Sequence, residues 1–123
     1  MPATVLVILF AIAVVVAWYL DVNSWKKKSR QELLGMVQSK NWRFHRVAIK
    51  ELQRRGEDTT VYIPQFVALL VSENKIERAA AHLTLQDCFP SIAMEIKGYT
   101  GTADLSLCRT KANPLLLRYG IES

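Results

Sequence analysis

The stretch that decides how this chain is organised is ATVLVILFAIAVVVAWYL, which runs from Ala3 to Leu20. Its eighteen residues include no charged residue, Pro, Gly or amide side chain. At ~1.5 Å per residue, a helix of this length measures about 27 Å, close to the hydrocarbon thickness of a bilayer. Within lipid, a single segment can pair all of its backbone groups only as a helix. The stretch therefore predicts a transmembrane anchor.

Two other interpretations of the apolar stretch are less consistent with its composition. A cleaved signal peptide would explain the small-residue pattern at Val15-Val16-Ala17, but Met1-Pro2 carries no Lys or Arg and the apolar run is longer than a usual signal core. A helix packed in the core of a soluble domain this small would keep a polar face toward solvent, and this stretch has none. We therefore favour the anchor.

The residues that flank the stretch predict its orientation. Lys26-Lys27-Lys28 follows the span, and the positive-inside rule places that side in the cytoplasm with the N-terminus outside. This arrangement suits a bacterial inner membrane, or a mitochondrial inner membrane with the domain in the matrix. The predicted span includes Ala3, Val5, Leu9, Ala13, Ala17 and Leu20, and the predicted interfacial residues are Trp18, Tyr19, Trp25, Lys26, Lys27 and Lys28.

Residues 1–25 form the predicted anchor with its interfacial flank, and residues 26–123 form the predicted soluble domain. The domain has no sustained strand alternation, and its Gly and Pro residues fall between helical segments, so we expect an all-α fold. The sequence predicts helices over about 29–38, 42–55, 57–71, 75–88, 91–97 and 103–111. Asn113-Pro114 is expected to end the helical region, with Leu115-Leu116-Leu117 folding back as an apolar cover.

An internal repeat is visible within this domain. Ser39-Lys40-Asn41 recurs as Ser72-Glu73-Asn74, thirty-three residues later, and Arg46 to Ile49 matches Arg78 to Ala81 at an offset of thirty-two. A helix pair repeated at a fixed period is the signature of an α-solenoid. The expected core residues between the paired helices are Phe66, Leu69, Ala80 and Leu83.

Three segments of the repeat carry a resemblance to HEAT repeats. Phe44 to Leu52 and Ile76 to Leu83 resemble the second helix of such a repeat, and Ile63 to Leu70 resembles the first helix. The resemblance covers residues 29–90 well and 91–113 poorly. It implies two to three helix pairs that recognise other proteins, and it implies no catalytic residue.

Basic residues are concentrated beside the predicted anchor. Residues 26–55 carry ten basic and two acidic residues, whereas residues 56–123 carry six basic and eight acidic residues. The helical spacing of Arg43, Arg46, Lys50 and Arg54 places them on one side of a helix, as a candidate contact stripe. The stripe has three interpretations: a solvated face, a contact with anionic headgroups or an acidic partner, and a nucleic-acid site. The acidic remainder of the domain makes nucleic acid the weakest of them.

The sequence offers little for catalysis. The two histidines, His45 and His82, and the two cysteines, Cys88 and Cys108, form none of the spacings typical of metal sites. No nucleophile elbow or phosphate-binding glycine loop occurs. We therefore expect no enzyme activity and no cofactor. The expected role is an accessory or structural subunit of a larger membrane protein complex, with a free-standing membrane-tethered adaptor or regulator as the alternative.

Overall fold

The computed structural model describes residues 3–121 and, among them, all side chains except those of residues 21–23. Over this range the chain is all-α and contains no strand. The predicted flank Met1-Pro2 and the chain end at 122–123 lie outside the described residues. The α-helices are α1 (Ala3–Lys27), α2 (Arg30–Gln38), α3 (His45–Arg54), α4 (Ile63–Leu69), α5 (Lys75–Cys88), α6 (Pro90–Ala93) and α7 (Leu105–Arg118). Short 3₁₀ turns occupy Trp42–Phe44, Thr60–Tyr62 and Met94–Ile96.

The first helix crosses the predicted domain boundary without a break. Because α1 continues to Lys27, seven residues beyond the apolar stretch, the domain begins about 10 Å past the end of that stretch. The helix α2 then starts at a cap formed by Ser29, whose hydroxyl oxygen accepts a hydrogen bond from the Glu32 amide at 3.1 Å. Its buried residues Leu33 and Val37 pack against α3. Only Lys28 and Ser29 therefore separate α1 from α2, the first helix that contributes to the domain core.

The same turn occurs between α2 and α3 and between α4 and α5, which we treat as two successive helix pairs. The Ser39 hydroxyl accepts from the Asn41 amide at 3.0 Å, and the Ser72 hydroxyl accepts from the Asn74 amide at 3.2 Å. Both asparagine side chains then accept from the backbone that follows, so each caps the next helical turn. The predicted offset of thirty-three residues is therefore matched by identical local hydrogen bonds.

The structure also corrects the predicted match between Arg46 to Ile49 and Arg78 to Ala81, which assumed an offset of thirty-two residues. His45 hydrogen-bonds to the Ser39 carbonyl oxygen at 2.6 Å, and Arg78 donates to the Ser72 carbonyl oxygen at 2.7 Å. Arg78 is therefore the counterpart of His45, thirty-three residues earlier, and not of Arg46. In this register the core residues fall into pairs: Leu33 with Phe66, Val37 with Leu70, Ala48 with Ala81 and Leu52 with Leu85.

Two of the four predicted core residues are misplaced by that one-residue slip. Phe66 is fully buried and Leu69 packs against the core, but Ala80 is only half-buried and Leu83 is exposed. One residue is a rotation of ~100° on a helix, enough to move a side chain from the core to the surface. The buried positions of α5 are Arg78, Ala81, Thr84, Leu85 and Cys88.

The C-terminal helix is longer than predicted. Pro114 lies inside α7 instead of ending the helical region, and Leu115 and Leu116 behind it are buried while Leu117 is exposed. A proline inside a helix costs about 3 kcal/mol. Burying two leucines contributes about 3–6 kcal/mol, which offsets that cost. Tertiary packing therefore overrides the local stop signal.

Candidate functional site

The stretch of α1 from Ala3 to Leu20 is apolar around its circumference and is not covered by the domain. Its 18-residue apolar window has a mean hydropathy of 2.7, and none of that window is buried. It is the one helix among the described residues that is long and apolar enough to cross a membrane. The predicted span residues Ala3, Val5, Leu9, Ala13, Ala17 and Leu20 all lie exposed along it, as do Trp18 and Tyr19 at its later turns.

A single arginine fastens the end of α1 to the domain. The Arg55 guanidinium donates to the carbonyl oxygens of Lys28 at 2.6 Å, Lys26 at 3.1 Å and Trp25 at 3.4 Å. These carbonyls lie at and just beyond the end of the helix, where backbone acceptors lack regular intrahelical donors. The Trp25 carbonyl also accepts a hydrogen bond from the Lys28 amide at 3.3 Å. The same guanidinium is held by Glu51, 3.0 Å from its Nε. We call Arg55, Glu51 and these three carbonyls the junction clamp.

An aromatic contact supports the junction clamp. The Trp25 ring lies 6.0 Å from the Phe44 ring, centroid to centroid, and packs partly buried against the domain core. The Lys28 ammonium lies 5.6 Å from the Trp25 ring centroid, within cation–π range. Trp25, expected at the membrane interface, thus also packs within the domain. Lys26 and Lys27 are exposed at the end of α1.

The predicted contact stripe is largely engaged in ion pairs. Arg46 donates to the Asp87 carboxylate at 2.7 Å, and the Lys50 ammonium lies 3.8 Å from the same oxygen. The hydrogen bond from Arg46 is the main cause that holds the pKa of Asp87 below its ordinary value. Since Asp87 belongs to α5, these contacts link the second helices of the first two pairs. Arg46 and Lys50 therefore hold α3 to α5 through Asp87, although their side chains also remain partly exposed to solvent.

Within the described part of the chain, the two terminal members of the stripe, Arg54 and Arg43, form no ion pair with Asp87. Arg54 donates to the Glu51 carboxylate at 2.8 Å, and this hydrogen bond is the largest cause that lowers the pKa of Glu51. Arg43 is exposed, its guanidinium carbon 5.5 Å from the Trp42 ring centroid. Among the side chains that the structure describes, no carboxylate pairs with Arg43. Arg43 is thus the member of the stripe whose charge is left for an external contact.

A groove opens between α5 and the start of α3. It has a volume of about 300 Å³ and is lined mainly by Trp42, Arg43, Arg46, Ile76, Ala80 and Leu83. We call it the α3–α5 groove. Trp42 also lines a second groove of about 580 Å³, which is bordered by Gln38 at the end of α2 and by Leu69 at the end of α4. The sequence prediction missed the α3–α5 groove because it assigned Ala80 and Leu83 to the core.

The two histidines and the two cysteines make packing contacts or hydrogen bonds within the domain. His45 is buried on the Ser39 carbonyl, and His82 lies edge-on to Tyr99 at 4.8 Å, where burial lowers its pKa. Both cysteines are buried, and burial raises the pKa of Cys88 to about 11, so this thiol is uncharged near neutrality. Within residues 3–121, no group of three or more His, Cys, Asp or Glu side chains could hold a metal ion.

Comparisons with known proteins gave no relative for this chain. No family profile matches the sequence, and neither curated proteins nor solved structures showed significant similarity to it. The function is therefore inferred from the fold, the junction clamp and the exposed surfaces.

Proposed function

We propose that this protein is a non-catalytic accessory or structural subunit of a larger membrane protein complex. One observation carries the proposal: α1 enters the domain as an unbroken helix whose end is held by Arg55 through three backbone carbonyls. A flexible tether would let a captured partner diffuse freely around the anchor. A clamped helix instead presents the domain in one fixed orientation beside the bilayer, which suits a brace between neighbouring subunits.

In this proposal α1 is a single membrane span with the N-terminus outside and the domain in the cytoplasm. The exposed Lys26 and Lys27 at the domain end of α1 support that orientation through the positive-inside rule. We favour a bacterial inner membrane, and a mitochondrial inner membrane with the domain in the matrix obeys the same rule. Because a lone span cannot enclose a pore, partner helices must supply any transport pathway.

The domain is proposed to be a short HEAT-like solenoid that recognises protein surfaces. The turn hydrogen bonds and paired core positions that recur every thirty-three residues support a repeated helix-pair unit. The pairing of α6 and its 3₁₀ extension with α7 would be a third, divergent unit. Such stacked units bind partners through extended surfaces and need no catalytic group.

Purification of the full-length chain in a mild detergent tests this function. A structural subunit should co-purify with the same partners at fixed stoichiometry, and the complex should survive a salt series. Substoichiometric partners that dissociate as the salt concentration rises would support the adaptor alternative instead. A chain that purifies alone from its native membrane, at low salt and in several mild detergents, would overturn the proposal.

A further inference from the structure

The α3–α5 groove combines apolar and cationic groups at one surface. On α5, Ile76 is 51% exposed and Leu83 is 45% exposed, although both are large apolar side chains. Between them, Ala79 and Ala80 line the groove with small side chains. Residues spaced by four and three lie on one face of a helix, so this part of α5 presents a continuous apolar strip. The small side chains at its middle would let the backbone of a partner approach closely.

The opposite side of the groove is positively charged. Arg43 and Arg46 border the apolar strip, and no carboxylate lines the groove. Arg46 is already paired with Asp87, but Arg43 has no carboxylate partner among the described side chains. The Trp42 ring beside its guanidinium limits the conformations that Arg43 adopts, which reduces the entropy lost on binding. The groove can therefore bind a ligand that offers a carboxylate to Arg43 and an apolar surface to the strip on α5.

We propose that the α3–α5 groove binds an amphipathic helix of a partner protein, with apolar side chains that pack on Ile76 and Leu83 and with Asp or Glu residues that pair with Arg43. This inference rests on the proposed function, because it names the kind of partner segment that the domain recognises. Helix-in-groove recognition reads apolar anchors at i, i+3, i+4 and i+7, the spacing that α5 itself presents.

The shape of the surface favours a helix over a lipid headgroup layer. A bilayer surface is flat on the scale of this domain, whereas the groove is a recess between two helices. A convex rod with an apolar face fills such a recess and covers Ile76 and Leu83. Headgroups would satisfy Arg43 but would leave this apolar strip in contact with water or polar groups. The apolar strip and the cation together therefore specify a protein helix.

The test uses the full-length chain in phosphatidylcholine nanodiscs and a synthetic helical peptide as the probe. The peptide carries Leu at i, i+3, i+4 and i+7, flanked by Glu, and a second peptide has Lys in place of every Glu. The Glu peptide should bind, its affinity should fall as the salt concentration rises, and the Lys peptide should bind at least about tenfold more weakly. Titration is followed by a fluorophore on the peptide.

Charge reversal gives the sharpest result. Arg43→Glu should weaken binding of the Glu peptide by about tenfold or more and improve binding of the Lys peptide. Arg109→Glu, the same change at an exposed position of α7, is the matched control and should leave both affinities unchanged. Leu83→Glu should abolish binding of the Glu peptide, whereas Leu107→Glu, at a leucine that is 48% exposed, should not.

The proposal is overturned if the Glu peptide fails to bind, or binds equally well to the Arg43→Glu and Leu83→Glu variants. It is also overturned if Arg43→Glu reduces association with phosphatidylglycerol vesicles while peptide binding stays unchanged, since the cation would then serve lipid. These failures are distinct from failure of the proposed function. A stable native complex that forms without peptide binding would reject the groove assignment and leave the subunit role intact.

Discussion

The guanidinium of Arg55 donates a hydrogen bond to the carbonyl oxygen of Lys28 at 2.6 Å, across twenty-seven residues of chain. Backbone carbonyls at the end of a helix carry partial negative charge and lack intrahelical donors. The three carbonyls are contacted by Nη2, while Nε donates to Glu51, so one planar guanidinium joins the end of α1 to a carboxylate of α3. The contact ties the end of α1 to α3, so we expect the connection between α1 and α2 to be stiffer than an unclamped linker.

We expect Arg55→Ala to loosen the orientation of the domain relative to α1, because the clamped carbonyls lose their shared donor. Spin labels on Val15→Cys and Leu117→Cys, both exposed, report the distance between the two parts in nanodiscs. The distance distribution should broaden in Arg55→Ala, and Arg55→Lys should restore it only in part.

The matched control for the junction clamp is Arg54→Ala. Arg54 also donates to Glu51, but none of its hydrogen bonds within the described structure reaches α1. Its removal should leave the distance distribution narrow. Equal broadening by both variants would show that loss of a Glu51 partner, and not release of the carbonyls, loosens the joint.

Glu51 should give the domain a defined sensitivity to acid. Its pKa is lowered from the ordinary value of 4.5, chiefly by the hydrogen bond from Arg54. Below pH 4.5 the unfolded chain therefore takes up a proton at this position before the folded chain does, and the free energy of unfolding falls as the pH drops through the folded pKa. The stabilisation is fully present above pH 4.5.

Glu51→Gln should lower the free energy of unfolding by about 1.5–3 kcal/mol at pH 7, because its amide accepts weaker hydrogen bonds than a carboxylate. The difference from wild type should shrink as the pH falls below 4.5. Thermal unfolding in detergent over a pH series measures both effects. Glu73→Gln, at an exposed position, serves as the control, and a wild-type difference that stays constant in acid would contradict the assignment.

Two glycines should respond to alanine with opposite signs. A Cβ at Gly101 would lie 2.5 Å from the Ala79 backbone nitrogen, so Gly101→Ala should destabilise the domain by about 1–3 kcal/mol. Nothing lies within 4 Å of a Cβ at Gly35, in the interior of α2, so Gly35→Ala should stabilise the domain by about 0.5–1 kcal/mol. Melting temperatures compare the two variants, and a stable Gly101→Ala protein would refute the close approach.

Neighbouring alanines on α5 should tolerate leucine very differently. Ala81 is 2% exposed in the core, and Ala81→Leu should cost about 1–3 kcal/mol through overpacking. Ala80 lines the α3–α5 groove, so Ala80→Leu should change stability by less than about 0.5 kcal/mol. Thermal unfolding of both variants tests which face of α5 is buried. Equal losses of stability would show that Ala80 lies in the core.

The proposed topology predicts which introduced cysteines react from outside the cell. A cysteine at position 2 should react with a membrane-impermeant maleimide in intact cells, and Leu117→Cys should react only after permeabilisation. Cys88 is a poor reporter, because it is buried and its pKa is raised to about 11. Labelling of Leu117→Cys in intact cells would reverse the orientation.

The long apolar helix and the helical class could be predicted from the sequence because each depends on local properties. Eighteen uninterrupted apolar residues fix the character of α1 regardless of what packs against it. The caps at Ser29 and Asn74 are also local, since the side chain and the amide that it accepts lie two or three residues apart. The predicted bounds of α5 agree with the structure for this reason.

Register and charge pairing were decided only by the tertiary structure. The repeat pattern fits offsets of thirty-two and thirty-three residues almost equally, and only packing places Ala81 in the core and leaves Leu83 exposed. Asp87 lies forty-one residues from Arg46 in the chain, so no local pattern indicates that it neutralises part of the basic stripe. The sequence by itself determined that this chain has a long apolar helix and an all-α fold. Its surfaces and junction clamp depend on long-range contacts, whose partners are brought together only when the helices pack.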